Sequence, residues 1–280
     1  MTFALPGRRA RTACAFALAG AVALAAVAGC SSSSSSGAAA AAGSPSSGAS
    51  SSTSPLTGTV TVFAAASLTG TFTQLGKDFQ AAHPGVTVKF NFGGSDTLAA
   101  SIVSGAPADV FAAASTTTMG TVTKAGDASG TPTVFVKNQL EIAVPPGDPK
   151  GIKTLSDLTK SGVKVALCAT TVPCGAAAVK AEAAGNVKIN PVTLETDVKS
   201  ALTKVELGEV DAALVYQTDV KAAGGKVQGV DFAEAAKAVN TYPIVVLKEA
   251  PDATAAQAFV GFVLSSHSRD VLSAAGFQSP

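Results

Sequence analysis

Four short stretches combine small or hydroxyl-bearing residues with the start of a helical apolar pattern. Ser67 follows Ala64-Ala65-Ala66 and precedes Leu68, Phe72, Leu75 and Phe79, at intervals of 4, 3 and 4. Gly93-Gly94-Ser95-Asp96-Thr97 stands before Leu98, Ala99, Ile102 and Val103. Val172-Pro173-Cys174-Gly175 opens an alanine-rich run over 176–184, and Thr196-Asp197 precedes Val198, Ala201, Leu202 and Val205. The first N–H groups of a helix have no intrahelical acceptor and sit at the positive end of its dipole. Glycine beside them lets a ligand approach the backbone. The chemistry such stretches can do together is to hold an anion. Taken singly, each Ser, Thr or Asp is an ordinary N-cap. What lifts the set is its recurrence where strands end and helices begin, the edge at which open α/β sheets bind ligands.

The elements that must position these stretches alternate along the chain. Apolar, β-branched runs at 59–65, 86–92, 110–114, 140–144, 163–168, 210–216 and 244–247 read as strands. Helical spacing follows at Leu68, at Leu98, over 176–184, at Val198 and over 255–264. Gly105, Pro107, Gly185 and Gly208 supply stops. Strands alternating with helices predict an α/β class with mainly parallel sheets.

Composition narrows the ligand. In 280 residues there is no tryptophan, and there are two tyrosines (Tyr216, Tyr242) and two histidines (His83, His267). Arg8, Arg9 and Arg11 lie in the first dozen positions, and Arg269 is the only other arginine. Aromatic stacking of a sugar, bidentate arginine binding and a histidine-rich metal site are therefore disfavoured. The formal charge is +1, without the basic footprint of a nucleic-acid binder. Recognition must rest mostly on hydroxyls and backbone.

The first thirty residues read as an address. The three early arginines form a positive n-region, an apolar stretch runs over 14–28, and Val27-Ala28-Gly29-Cys30 ends it. This is the organisation of a secretory signal with a lipobox over 1–30, in which Cys30 is acylated and becomes the mature N-terminus. The apolar run is shorter than the roughly 20 residues a spanning helix needs. Arg8-Arg9 leaves the choice between general and twin-arginine export open. Residues 31–57 are mostly Ser, Ala and Gly, a coil reaching about 25–30 Å that would tether a body at 58–280 to the outer face of the bacterial membrane. Cys168 and Cys174 are then the thiols of the body; export favours a disulfide, and a metal pair is the weaker reading because no histidine is near.

Five ordered motifs carry a family resemblance: Val62-Phe63-Ala64-Ala65-Ala66-Ser67-Leu68, Phe92-Gly93-Gly94-Ser95-Asp96-Thr97-Leu98, Gly105-Ala106-Pro107-Ala108-Asp109-Val110-Phe111, Val172-Pro173-Cys174-Gly175 and Leu214-Val215-Tyr216. Together they closely resemble the extracytoplasmic molybdate-binding proteins of ABC importers, over essentially all of the body. The resemblance implies a type II periplasmic-binding-protein fold: two α/β lobes joined by two crossover strands with the ligand cleft between them. Lobe one would be 58–137 plus 241–280, and lobe two 138–240. It implies a non-enzymatic monomer that captures molybdate or tungstate for a membrane permease with its ATPase, with no cofactor and no nucleic acid. By the same resemblance the oxyanion is held by Ser67 and Ser95 of lobe one, backbone N–H groups at Cys174 and Val198, and the Tyr216 hydroxyl.

Two positions depart from the family pattern. Cys174 often corresponds to alanine, but tied to Cys168 it would still offer its amide. Asp96 often corresponds to a small residue; a carboxylate facing a dianion would repel it, so Asp96 is expected to cap its own helix and turn away. Tyr242-Pro243 reads as crossover-strand and hinge packing rather than a second ligand tyrosine. The alternative within the class is a sulfate, thiosulfate or phosphate receptor on the same fold. A hydrolase using Ser67 or Ser95 would need a base, and His83 and His267 read as surface residues.

Overall fold

The computed structural model describes residues 55–280; the expected signal segment, Cys30 and all but the last residues of the tether lie outside them. Two five-stranded sheets organise this part of the chain. The first contains β1 (Thr57–Ala65), β2 (Gly85–Gly93), β3 (Val110–Ala112), β4 (Ala128–Asn138) and β10 (Asn240–Leu247), in the order β2-β1-β3-β10-β4. The second contains β5 (Leu140–Val144), β6 (Val165–Cys168), β7 (Thr193–Glu195), β8 (Ala212–Tyr216) and β9 (Gln228–Val230), in the order β7-β6-β8-β5-β9. The chain leaves the first sheet at Asn138, builds the second, and returns at Asn240. Two lobes joined by two crossings follow from this order.

Helices cover the sheets: α1 (Thr69–Ala82), α2 (Ser95–Val103), α3 (Thr116–Ala125), α7 (Ala253–Val263) and α8 (Ser266–Ala274) in lobe one, and α4 (Pro173–Gly185), α5 (Val198–Glu206) and α6 (Gln217–Ala223) in lobe two. Burial on both faces explains why β1 reads as a continuous apolar run. Val60, Val62 and Ala64 face a core built with Phe72, Phe79 and Phe259, whereas Phe63 faces one built with Leu98, Ile102 and Met119. Lobe two has its own core around Ile142, Leu214 and Ala181.

The expectation of mainly parallel sheets needs correction. β1 runs parallel to β2 and β3, and β6 to β7 and β8. β10 pairs antiparallel with β3 and β4, and β5 antiparallel with β8 and β9. The cause is topological: a strand arriving from the other lobe enters without the helical crossover that parallel pairing requires.

The parallel strands set the functional edge. β1 delivers the chain at Ala65 and β2 at Gly93; β6 delivers it at Cys168 and β7 at Glu195. A helical turn begins within a few residues of each. Asp109, in the Gly105–Phe111 motif, is buried and fastens this arrangement, accepting from Thr61 N–H at 2.7 Å and Asp252 N–H at 2.8 Å.

Candidate functional site

Between the lobes lies a small hollow, and all four helix starts reach it. The 3-10 turn Ala66–Leu68 ahead of α1 contributes Ala66 and Ser67, and the start of α2 contributes Gly94 and Ser95. From lobe two come Val172, Pro173 and Cys174 at α4, and Asp197 and Val198 at α5. Ala114, just past β3, and Tyr216, the last residue of β8, complete the wall. The five residues singled out from sequence, Ser67, Ser95, Cys174, Val198 and Tyr216, thus meet around one space. Among the described residues, no lysine, arginine or histidine lines it.

Local chemistry leaves particular donors free. In α5 the Asp197 carboxylate accepts from the N–H groups of Lys199 (2.8 Å) and Ser200 (3.0 Å) and from the Ser200 hydroxyl. The Val198 N–H is the first-turn donor this cap does not use. In α4 Pro173 occupies the first position, where its missing N–H costs nothing. Helical bonding there begins with Ala176 donating to Val172, so the Cys174 and Gly175 amides have no acceptor in their own helix. Cys174 is disulfide-bonded to Cys168, with Cα atoms 5.8 Å apart. A Cβ on Gly175 would come within 1.9 Å of the Ala169 carbonyl oxygen, so glycine is what lets this helix start close down on the disulfide loop.

The three hydroxyls share one arrangement: each has a hydrogen-bond partner from the scaffold. Ser95 Oγ accepts from Ala114 N–H at 3.0 Å. Tyr216 Oη accepts from the Asn240 side-chain amide at 2.9 Å, and that amide also reaches the carbonyls of Ala114 (2.7 Å) and Pro173 (3.3 Å). Ser67 Oγ lies 2.9 Å from Tyr242 Oη, a pair in which either hydroxyl can be the donor. A phenol can donate and a serine oxygen can accept, so Tyr242 can give its proton to Ser67. The protons of Ser67, Ser95 and Tyr216 are then available to a guest that accepts. Burial pushes both tyrosine phenols above their ordinary range, so they stay protonated donors.

Tyr216 is also fixed through its backbone. Asp219, fully buried, accepts from the Tyr216 N–H at 3.2 Å. Its other oxygen lies 3.0 Å from Lys199 Nζ, a charge contact outside directed hydrogen-bond geometry. Burial raises the Asp219 carboxyl and Lys199 opposes the rise. This pair ties the start of α5 to the end of β8, so the lobe-two donors move together.

Several residues fall differently from the sequence reading. Asp96 does not line the hollow, as expected, but it makes no capping bond to its own helix: Gly94 is the N-cap, and Asp96 Oδ1 is buried without a partner. Its charge at the first turn still suits the helix dipole. Asn240 was not anticipated; an asparagine in a crossover strand has no sequence signal linking it to Ala114, Pro173 and Tyr216. Tyr242 sits in that strand, as expected of hinge packing, and also holds Ser67. His83 packs at a tilt against Phe79 and His267 bonds Asp78 on the surface, so neither serves the hollow.

Comparison with known proteins places this chain among relatives. Residues 60–278 match the family model described as bacterial extracellular solute-binding protein. Over 222 residues the chain is 44% identical to the molybdate-binding protein ModA of Mycobacterium tuberculosis, covering 79% of this chain and 85% of that one. The chain belongs to the ModA family of solute-binding proteins. This is a family of binding proteins rather than enzymes. Escherichia coli ModA is 29% identical over 230 residues, covering 79% of this chain and 89% of that one. A Bacillus subtilis chain provisionally named an ABC transporter substrate-binding lipoprotein is 30% identical over 226 residues, covering 78% and 86%. Among solved structures, the Azotobacter vinelandii periplasmic molybdate-binding protein shares the fold, with a TM-score of 0.70 at 21% identity. The match takes in 79% of this chain and 99% of that one. The sulfate-binding protein SubI of M. tuberculosis shares it too, with a TM-score of 0.67 at 19% identity over 79% and 86% of the two chains. These two likenesses establish the type II periplasmic-binding-protein fold.

Proposed function

We propose that this chain captures molybdate, and tungstate with it, outside the cytoplasm and passes it to an ABC permease with its ATPase. Acylation of Cys30 holds it at the outer face of the cell membrane in this reading, and residues 31–57 give it reach. The observation that carries the assignment of chemistry is the donor set: Ser67, Ser95 and Tyr216 each have a scaffold hydrogen bond, and the amides of Cys174 and Val198 lie at helix starts. Membership of the ModA family selects molybdate among the anions such a set would accept.

The energetics suffice without a cation. Hydrogen bonds to a charged partner contribute about 1.5–3 kcal/mol each. Five of them give about 8–15 kcal/mol gross, against the 8–12 kcal/mol net that micromolar to nanomolar binding requires. Desolvation and cleft closure take up the difference. The same donor set discriminates by protonation. The hydroxyls and free amides present donors, and the Asp197 carboxylate is largely engaged by its own helix, so a guest that brings a proton of its own is poorly matched. Hydrogen phosphate is therefore disfavoured relative to a fully deprotonated dianion. Size separates sulfate from the larger molybdate and tungstate, because fixed donors placed for a large tetrahedron leave a small one under-coordinated.

Isothermal calorimetry on residues 55–280 with sodium molybdate, tungstate, sulfate and phosphate tests this. Molybdate and tungstate are expected to bind similarly, sulfate far more weakly and phosphate weakest. Sulfate binding equal to molybdate would move the assignment to the sulfate or thiosulfate alternative; phosphate binding best would refute the donor argument.

A further inference from the structure

Gly93 and Gly94 are adjacent, yet only one of them is confined by the opposite lobe. A Cβ built on Gly93 meets nothing closer than the Leu98 side chain, at 3.8 Å. A Cβ on Gly94 would lie 2.4 Å from the carbonyl oxygen of Thr196 and 2.8 Å from Asp96 Oδ1. Thr196 belongs to lobe two and is the residue before the Asp197 cap of α5, whereas Gly94 caps α2 of lobe one. The backbone of Gly94 has φ −59° and ψ 129°, which any residue adopts. Its conformational freedom is unused. What the position uses is the missing side chain.

We propose that Gly94 is the closing seam of the cleft: its bare Cα lets the Thr196 carbonyl seat across the gap, and any side chain there holds the lobes apart. The inference rests on the oxyanion reading for its ligand, but the seam itself is geometric. Asp96 can rotate out of the way of a methyl group; the Thr196 carbonyl cannot. It is backbone, anchored one residue from a cap that already makes three hydrogen bonds. Relief requires either opening about the crossings near Asn138 and Asn240 or drawing back the start of α5. Both carry the Val198 amide away from the serines of lobe one. The contact falls about 0.6 Å short of the closest approach that real Cβ atoms make. That is enough to stretch a hydrogen bond out of its useful range. Gly94 is thus a positioning residue: its backbone lines the hollow, and its missing side chain acts on affinity through lobe geometry.

The test compares Gly94→Ala and Gly94→Ser with the wild type in residues 55–280, with Gly261→Ala as control. Gly261 lies exposed in α7, and a Cβ there meets nothing within 4 Å. Serine is a favoured N-cap, so Gly94→Ser keeps α2 capped while adding the same obstructing Cβ. Molybdate affinity is expected to fall about tenfold or more in both Gly94 variants, the loss of one charge-assisted hydrogen bond, mostly through faster release. Ligand-free melting should stay close to wild type for Gly94→Ser. Gly261→Ala should bind as the wild type does. Spin labels on Lys77→Cys in α1 and Lys180→Cys in α4 read the lobe separation with and without sodium molybdate. The wild type should reach a short separation that the Gly94 variants do not. Gly94→Ser binding within about twofold of wild type, at the same short separation, would overturn the proposal. A wild type that ignores molybdate refutes the oxyanion reading alone. The seam is then judged on ligand-free distances, where a short population must be present in the wild type and absent from Gly94→Ser.

Discussion

Ser67 and Tyr242 offer a quantitative test of how the hollow directs its protons. Ser67 lines the hollow and Tyr242 does not, yet their hydroxyl oxygens are 2.9 Å apart and both residues are buried. Ser67→Ala removes a donor to the bound dianion, a loss of about 1.5–3 kcal/mol, or roughly 10- to 150-fold in Kd. Tyr242→Phe keeps the ring against Phe277 and Tyr216 and deletes only the hydroxyl that orients Ser67. Its expected cost to affinity is that of a neutral hydrogen bond, about 0.5–1.5 kcal/mol. Because Tyr242 acts through Ser67, adding Tyr242→Phe to Ser67→Ala should cost almost nothing more. The double variant is expected near the Ser67→Ala value, with a coupling energy close to the whole Tyr242→Phe effect. Calorimetric titration of sodium molybdate into the four proteins, at one pH and ionic strength, closes the cycle. Additive losses would refute the relay, and an unchanged Kd in Ser67→Ala would show that the serine serves only its scaffold bond to Tyr242.

Three further outcomes follow from the same structure. Affinity for molybdate should stay flat from about pH 6.5 to 9, since both tyrosines titrate above their ordinary range and no histidine lines the hollow; a steep profile by calorimetry would point to an unrecognised titrating group. Glu141, half-buried beside Asp231, has its carboxyl raised to about 7, first by burial and then by Asp231. A raised folded pKa binds protons in the native state, so its contribution is present below pH 4.5 and lost as pH rises through 7. Glu141→Gln should therefore raise the melting temperature more at pH 8 than at pH 5, and an equal effect at both would contradict the assignment. Replacing Cys168 and Cys174 by alanine removes a short covalent loop, about 2–3 kcal/mol, or roughly 5–10 °C in Tm for a body this size. It should also weaken molybdate binding by loosening the start of α4; unchanged Tm would mean the loop is held by packing alone.

The lobes and the hollow were legible in different degrees. Strand ends followed by glycine, serine or a capping acid are local signals, and they placed Ser67, Ser95, Cys174 and Val198 at helix starts without any knowledge of tertiary structure. Tyr216 was legible only through family resemblance, since a tyrosine ending a strand says nothing about where its hydroxyl points. Asn240 was not legible at all: its three partners lie 24 to 126 positions away, and the bonds exist only because two lobes meet. β4 was missed because its first half is exposed and carries Gly130 and Pro132, so the alternation that marks a strand is absent. Its pairing with β10 is further broken by register shifts at Tyr242/Pro243 and Ile244/Val246. α3 was missed because Thr116-Thr117-Thr118 is poor helix-forming sequence. It is held by the Ser115 cap and by Met119 and Val122 packed in the core. The misplaced bond of Asp96 has a similar origin: an acid in the first turn reads as a cap, but Gly94 already occupies the cap position.

The central claim is that a dianion is neutralised here by hydroxyls and amides alone. A crystal structure of residues 55–280 grown with sodium molybdate tests it most directly. Oxyanion oxygens should lie within hydrogen-bond distance of Ser67, Ser95 and Tyr216 hydroxyls and of the Cys174 and Val198 N–H groups, with no lysine or arginine in contact. Density for the anion against Lys199 or Lys221, with those hydroxyls unengaged, would contradict it.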